Sequence, residues 1–175
     1  MKNKLLSTLG FLFVIGISTC YAQKQSGLID GTGKIIIPFE YDDIELPIDS
    51  SLTVKRKGFY GRMDFDGKIL VPCEYDHIWS HGNTEGMVHV ELDNKHGFVD
   101  ITTGELVIPC INKYVCDFHD GHAIIRKSSR NGYIDKTGKL IAFGIYENLK
   151  DFHNGYAKVE KNGKWGFIDK EGIFH

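Results

Sequence analysis

The sequence predicts an all-β fold: a repeat array of about four three-stranded units, stacked as an open β-solenoid. Three observations carry this. A short pattern of glycine, a variable residue (aromatic in the clearest copies), an apolar residue and aspartate recurs along the chain, with a further glycine three or four residues on. Its first glycines stand at 27, 61, 97, 132 and 166, giving steps of 34, 36, 35 and 34 residues. Steps of that size are the length of one supersecondary unit. Finally, apolar runs of strand length alternate with glycine-aspartate turns, and no stretch sustains a helical period beyond short turns near Tyr41 and Tyr75.

Residues 1–22 are expected to stand outside the fold as a cleaved signal peptide. Lys2 and Lys4 form a basic start, Leu5 to Ile17 an apolar stretch, and Cys20-Tyr21-Ala22 a small-residue cleavage site before Gln23. The alternatives are a lipoprotein anchored at Cys20 and an uncleaved membrane anchor. Thr19 fits the first poorly, and the apolar run is short for the second. The repeat domain is then 23–175, with units of about 27–60, 61–96, 97–131 and 132–165 and a partial capping unit at 166–175. Losing Lys2 and Lys4 takes the formal charge from −2 to −4. An exported chain of that charge has no electrostatic case for nucleic acid or an anionic lipid surface.

Each unit opens on the glycine strand, clearest in Gly97-Phe98-Val99-Asp100, Gly132-Tyr133-Ile134-Asp135 and Gly166-Phe167-Ile168-Asp169, and weaker from Gly61. A turn such as Asp135-Lys136-Thr137-Gly138 follows. Aspartate bonds the backbone two residues on, and glycine takes the left-handed φ that closes the turn. The second strand is a β-branched run ended by proline, as in Ile69-Leu70-Val71-Pro72. Next comes an acidic-aromatic element, Glu40-Tyr41-Asp42 and Glu74-Tyr75-Asp76, with degenerate copies at Tyr114 and Tyr146. Two matching loops, Asp117 to Ala123 and Asp151 to Ala157, precede an alternating third strand, and Asn162-Gly163 is the tightest hairpin signal. Five first strands against four complete units favour an open, capped array over the alternative, a propeller- or barrel-like closure.

At Lys164-Trp165-Gly166-Phe167-Ile168-Asp169 the unit resembles the WG (or KWG) repeat of bacterial, often exported, proteins. The resemblance spans 27–175 and is tightest where Phe152, Gly155, Ala157, Val159, Trp165 and Gly166 all fit. Tyr60, His96 and Asn131 hold the Trp165 position in earlier units. It implies an all-β repeat architecture and an interaction role, and it supplies no catalytic residues, cofactor or ligand.

Several residue sets are weighed for chemistry. The ladder Asp30, Asp64, Asp100, Asp135 and Asp169 is expected to be structural, since Ca²⁺ loops generally supply more than one carboxylate each. His119 and His153, on the matching loops, give two metal ligands where zinc needs three or four. His122, His77 or His81 would have to add the third, so no metal is assigned. Phe118 and Phe152 are expected to anchor the loops or to meet a partner. Tyr41, Tyr75, Tyr114 and Tyr146 form either core or an exposed sugar-binding row, while Phe98, Tyr133 and Phe167 are taken as core. Cys73 and Cys110 share a repeat position and are expected to be small buried residues rather than a disulfide. Cys116 beside His119 lacks an orienting third group for catalysis.

The functional expectation is an exported, non-enzymatic module that binds a protein partner. Candidate contacts are Tyr41, Tyr75, Phe118, His119, Phe152 and His153. The alternatives are a cell-envelope glycan binder using the tyrosines and a metal-dependent or hydrolytic enzyme using the histidine loops. Burial of Tyr41 and Tyr75 discriminates against the glycan row.

Overall fold

The computed structural model describes residues 13–17, 25–45, 51–79 and 85–175. The described residues are all-β, with no helix, so none is long and apolar enough to cross a membrane. The chain divides into two compact units, Met1–Glu74 and Tyr75–His175.

In the first unit β1 (Phe13–Ile17), β2 (Gln25–Ile29) and β3 (Ile35–Tyr41) form one antiparallel sheet. A second sheet follows, in the order β4 (Asp43–Glu45), β5 (Leu52–Arg56), β6 (Phe59–Met63) and β7 (Ile69–Tyr75). The backbone of β1 pairs with β2, Ile15 opposite Gly27, at the edge where each later sheet sets a third strand beside the glycine strand.

The second unit repeats the plan. Its first sheet is β8 (His77–Ile78), β9 (Met87–Leu92), β10 (Lys95–Asp100) and β11 (Leu106–Asn112). The next is β12 (Tyr114–Val115), β13 (His122–Lys127), β14 (Arg130–Asp135) and β15 (Leu140–Ile141). The last is β16 (Asn148–His153), β17 (Tyr156–Lys161) and β18 (Lys164–Asp169). None of these small sheets closes into a barrel.

The chain changes sheet at a one-residue bend: Asp42 separates β3 from β4, and Lys113 separates β11 from β12. The bend residue explains the acid after tyrosine in the repeat. Asp42 accepts the Gly58 amide at 2.7 Å, Asp76 the Asp93 amide at 2.7 Å, and Glu147 the Asn162 amide at 3.1 Å. Each carboxylate thus caps the two-residue hairpin turn of its own unit. Those turns need positive φ at both positions, as at Asn162 and Gly163, which is why Asn-Gly suits them.

Neighbouring sheets share their cores. Leu28, Ile37, Tyr41, Ile44, Leu52, Val54 and Met63 pack between the two sheets of the first unit. In the second, Met87, Phe98, Ile108, Phe118 and Ile125 form one cluster, and Tyr133, Ile141, Phe152, Val159 and Ile168 the next. The Phe-x-x-Gly-x-Ala pattern belongs to this stacking. Phe118 meets Phe98 edge-on at 4.9 Å, and Phe152 meets Tyr133 the same way at 4.9 Å. Both phenylalanines are core anchors, so they do not offer a partner surface.

The aspartate ladder is a set of Asx turns. Asp30, Asp64, Asp135 and Asp169 each accept the amides two and four residues on, and Asp100 those two and three on.

One expectation for the last unit is corrected: Phe167 is exposed rather than core. Trp165 is 45% exposed, its ring under the Lys158 ammonium at 4.8 Å. Phe98 and Tyr133 are each covered by a phenylalanine of the following loop, and no equivalent follows Phe167 in these 175 residues. Trp165→Ala is therefore expected to cost about 1 kcal/mol in urea unfolding, well short of the roughly 3–5 kcal/mol of a buried aromatic.

Candidate functional site

A cleft of about 590 Å³ opens in the second unit. Its walls are the same segment of successive repeats: residues 77–79, at and just after β8, and residues 114–116, at and just after β12. Trp79, a half-buried ring, stacks on His89 of β9 at 5.6 Å, and His77 meets it edge-on at 4.7 Å. His89 Nε2 and His96 Nδ1 lie 3.0 Å apart across β9 and β10, one ring donating and the other accepting. The opposite wall brings Tyr114, Cys116, Asp117 and His119, and Asp151 of β16 completes the lining.

Tyr114 reaches the cleft because it is out of register with the other tyrosines. Tyr41 and Tyr75 are buried at the strand end before the bend, and Tyr146 is buried just before β16. In the third repeat that place belongs to Asn112, buried and donating from Nδ2 to the His96 and Pro109 carbonyls at 3.2 and 3.3 Å. Tyr114 lies two residues on, level with Asp43 and His77, and is half exposed. Tyr41 and Tyr75 are corrected as candidate contacts accordingly: of the two readings, core or exposed row, their burial takes the first.

Cys116 donates from Sγ to Tyr114 Oη at 3.5 Å rather than to a histidine. Burial pushes its thiol up first of all, and the Asp151 and Asp117 carboxylates push it further, outweighing the tyrosine. A thiol held protonated in this way is a poor nucleophile. His119 sits 4.0 Å from Asp151 Oδ2, a loose ion pair when the ring is charged.

The matching histidines do come together, with the His119 and His153 ring centroids 6.0 Å apart. The third ligand considered for them is placed elsewhere. His122 is buried against Phe152 at 4.4 Å, its Nδ1 3.1 Å from the Asp120 carbonyl, and His77 packs on Trp79. His81 lies outside the described residues. Among the described residues no three His, Cys, Asp or Glu side chains are grouped to hold a metal ion.

The matching segments are two-residue hairpin turns at Asp120-Gly121 and Asn154-Gly155, tighter than loops. They carry a latch between repeats. Glu85 accepts the Gly121 amide at 3.0 Å and pairs with Lys136 at 3.0 Å. Asp120 repeats this one unit on, accepting the Gly155 amide and pairing with Lys170 at 2.9 Å. Lys170 and the Gly155 amide hold the Asp120 carboxyl below its usual range. Burial pushes Glu85 up, but Lys136 and the Gly121 amide outweigh it. The sequence carries a faint sign of the latch in the 35-residue step from Glu85 to Asp120, each just before a turn glycine.

Cys73, Cys110 and Cys116 are free thiols. Cys73 and Cys110 cover the repeat glycines of their own sheets, where a Cβ on Gly61 or Gly97 would meet their sulfurs at 2.8 and 2.9 Å. Phe39, Phe143 and Phe174 cover Gly27, Gly132 and Gly166 in the same way, so they are the counterparts of the cysteines.

This repeating plan matches a known family. The model of the WG containing repeat matches residues 27–50, 60–95 and 132–165, and the chain belongs to that family. Among solved structures, a protein of unknown function from Bacteroides caccae is similar over 86% of this chain and 73% of its own, at 11% identity and a TM-score of 0.29. That likeness is too loose to bear on fold or site. No curated protein matches the chain.

Proposed function

We propose that this chain is an exported, non-enzymatic repeat module that docks a protein partner along the outer ends of its second strands. One observation carries the reading. Four repeats leave one large aliphatic side chain exposed at the same strand position. These are Ile35 and Ile69 in the first unit and Leu106 and Leu140 in the second, each between 43 and 57% exposed, while Phe174 holds the place in the last repeat. Single exposed aliphatics are ordinary, but one per repeat in register is what a repeat protein uses to bind an extended partner. Export is supported by the basic start and apolar stretch of residues 2–17. The absence of an enzyme role is supported by the protonated state of Cys116 and the two-ligand count at His119 and His153.

The test is capture from solubilised cell envelope by residues 23–175, against the same protein carrying Leu106→Ser and Leu140→Ser. One enriched protein that the double variant loses, with its melting temperature kept, supports the reading. Equal capture by both proteins overturns it. The buried Phe118 and Phe152 are unsuitable for this purpose, because replacing them attacks the core.

A further inference from the structure

We propose that the cleft of the second unit binds a small organic cation, an ammonium compound whose charged head sits by Asp117 and Asp151 and whose carbon frame lies on Tyr114 and Trp79. This does not rest on the docking reading, which uses other residues. Four observations converge on it.

The volume, about 590 Å³, is that of a small-molecule site. The lining carries two carboxylates and, among the described residues, no lysine or arginine. Arg126 is turned to a neighbouring hollow, where its Nε donates to Asn131 Oδ1 at 2.8 Å. Among the described residues, the only ion pair that touches the lining acids is the loose one from His119 to Asp151 at 4.0 Å.

The aromatic lining fits the same ligand. Cations are drawn to the faces of tryptophan and tyrosine. Tyr114 is half exposed because it stands two residues out of the buried tyrosine register. Trp79 is fixed in the facing wall by its stack on His89. A neutral sugar would also stack on these rings and donate its hydroxyls to the carboxylates, but it leaves their charge unmatched, which a cation does not. An anion is repelled by the carboxylates.

The experiment is a titration of the full chain carrying Trp165→Phe, which leaves Trp79 as the sole tryptophan. Choline is the probe, with its uncharged carbon isostere 3,3-dimethylbutan-1-ol and methyl glucoside as comparisons. Saturable change in Trp79 fluorescence is expected with choline, with the isostere binding about tenfold more weakly or worse. Asp117→Asn with Asp151→Asn should weaken choline by a similar factor, about tenfold, while keeping the melting temperature. If that pair fails to fold, Tyr114→Leu takes its place, with the same expected direction. Equal binding of the isostere, tighter binding of the glucoside, or no saturation with choline overturns the proposal.

Discussion

Phe98→Ala is expected to destabilise the second unit by about 3–5 kcal/mol, while Phe167→Ala costs about 1 kcal/mol or less. The two residues hold the same place in the repeat, and their surroundings differ. Phe98 is 0% exposed and lies between His89 at 5.3 Å and the edge of Phe118 at 4.9 Å. Removing the ring leaves a cavity lined by β-strand side chains that cannot collapse without shifting their ladder. Phe167 is 50% exposed and forms part of no core cluster, so its loss opens no cavity. Guanidinium unfolding of both variants decides the matter. Equal costs would mean that the last unit packs as the inner ones do.

The same contrast explains what was legible in the sequence. The Asx turns were, because Asp135 makes its bonds to Thr137 and Lys139 within its own turn. The Asn162-Gly163 hairpin was too, since both residues are chosen for positive φ. Strand type and repeat length follow from local pattern in the same way. Exposure at Phe167 was not legible, because it depends on whether a phenylalanine from a later loop arrives to cover the ring.

The cleft was legible only in part. Tyr41 and Tyr75 stand three residues after Pro38 and Pro72, and Tyr114 five after Pro109, a shift that spacing shows without showing what it exposes. The difference lies in Asn112, which can fill the buried position because its amide finds two carbonyls there. Trp79 and His89 have no counterpart pattern in other repeats, so periodicity passes over them. His119 was found because its loop is duplicated. Its partner Asp151 belongs to the matching segment of the next repeat and meets it by stacking, not by sequence proximity.

Gly97→Ala is expected to cost about 3 kcal/mol, the upper end of what overpacking does. The reason is the bulge of β11 over β10. The register shifts on both sides of Phe98, and the bulged strand comes down onto the glycine. A Cβ there would strike the Ile108 carbonyl oxygen, and it would stand 2.9 Å from both the Cys110 amide nitrogen and the Cys110 sulfur. Two of these three atoms are backbone, and they cannot rotate away as a side chain does. Relief requires β11 to lift, which disturbs Ile108 in the core and the Asn112 contacts that set the cleft wall. Gly166→Ala is the comparison. Its nearest atoms belong to the half-exposed Phe174 ring, which can swing aside, so about 1 kcal/mol is expected. Urea midpoints for the pair measure the difference. If Gly97→Ala proved as mild as Gly166→Ala, the repeat glycine would be serving the turn that follows it, and the close approach of the covering strand would not be what requires it.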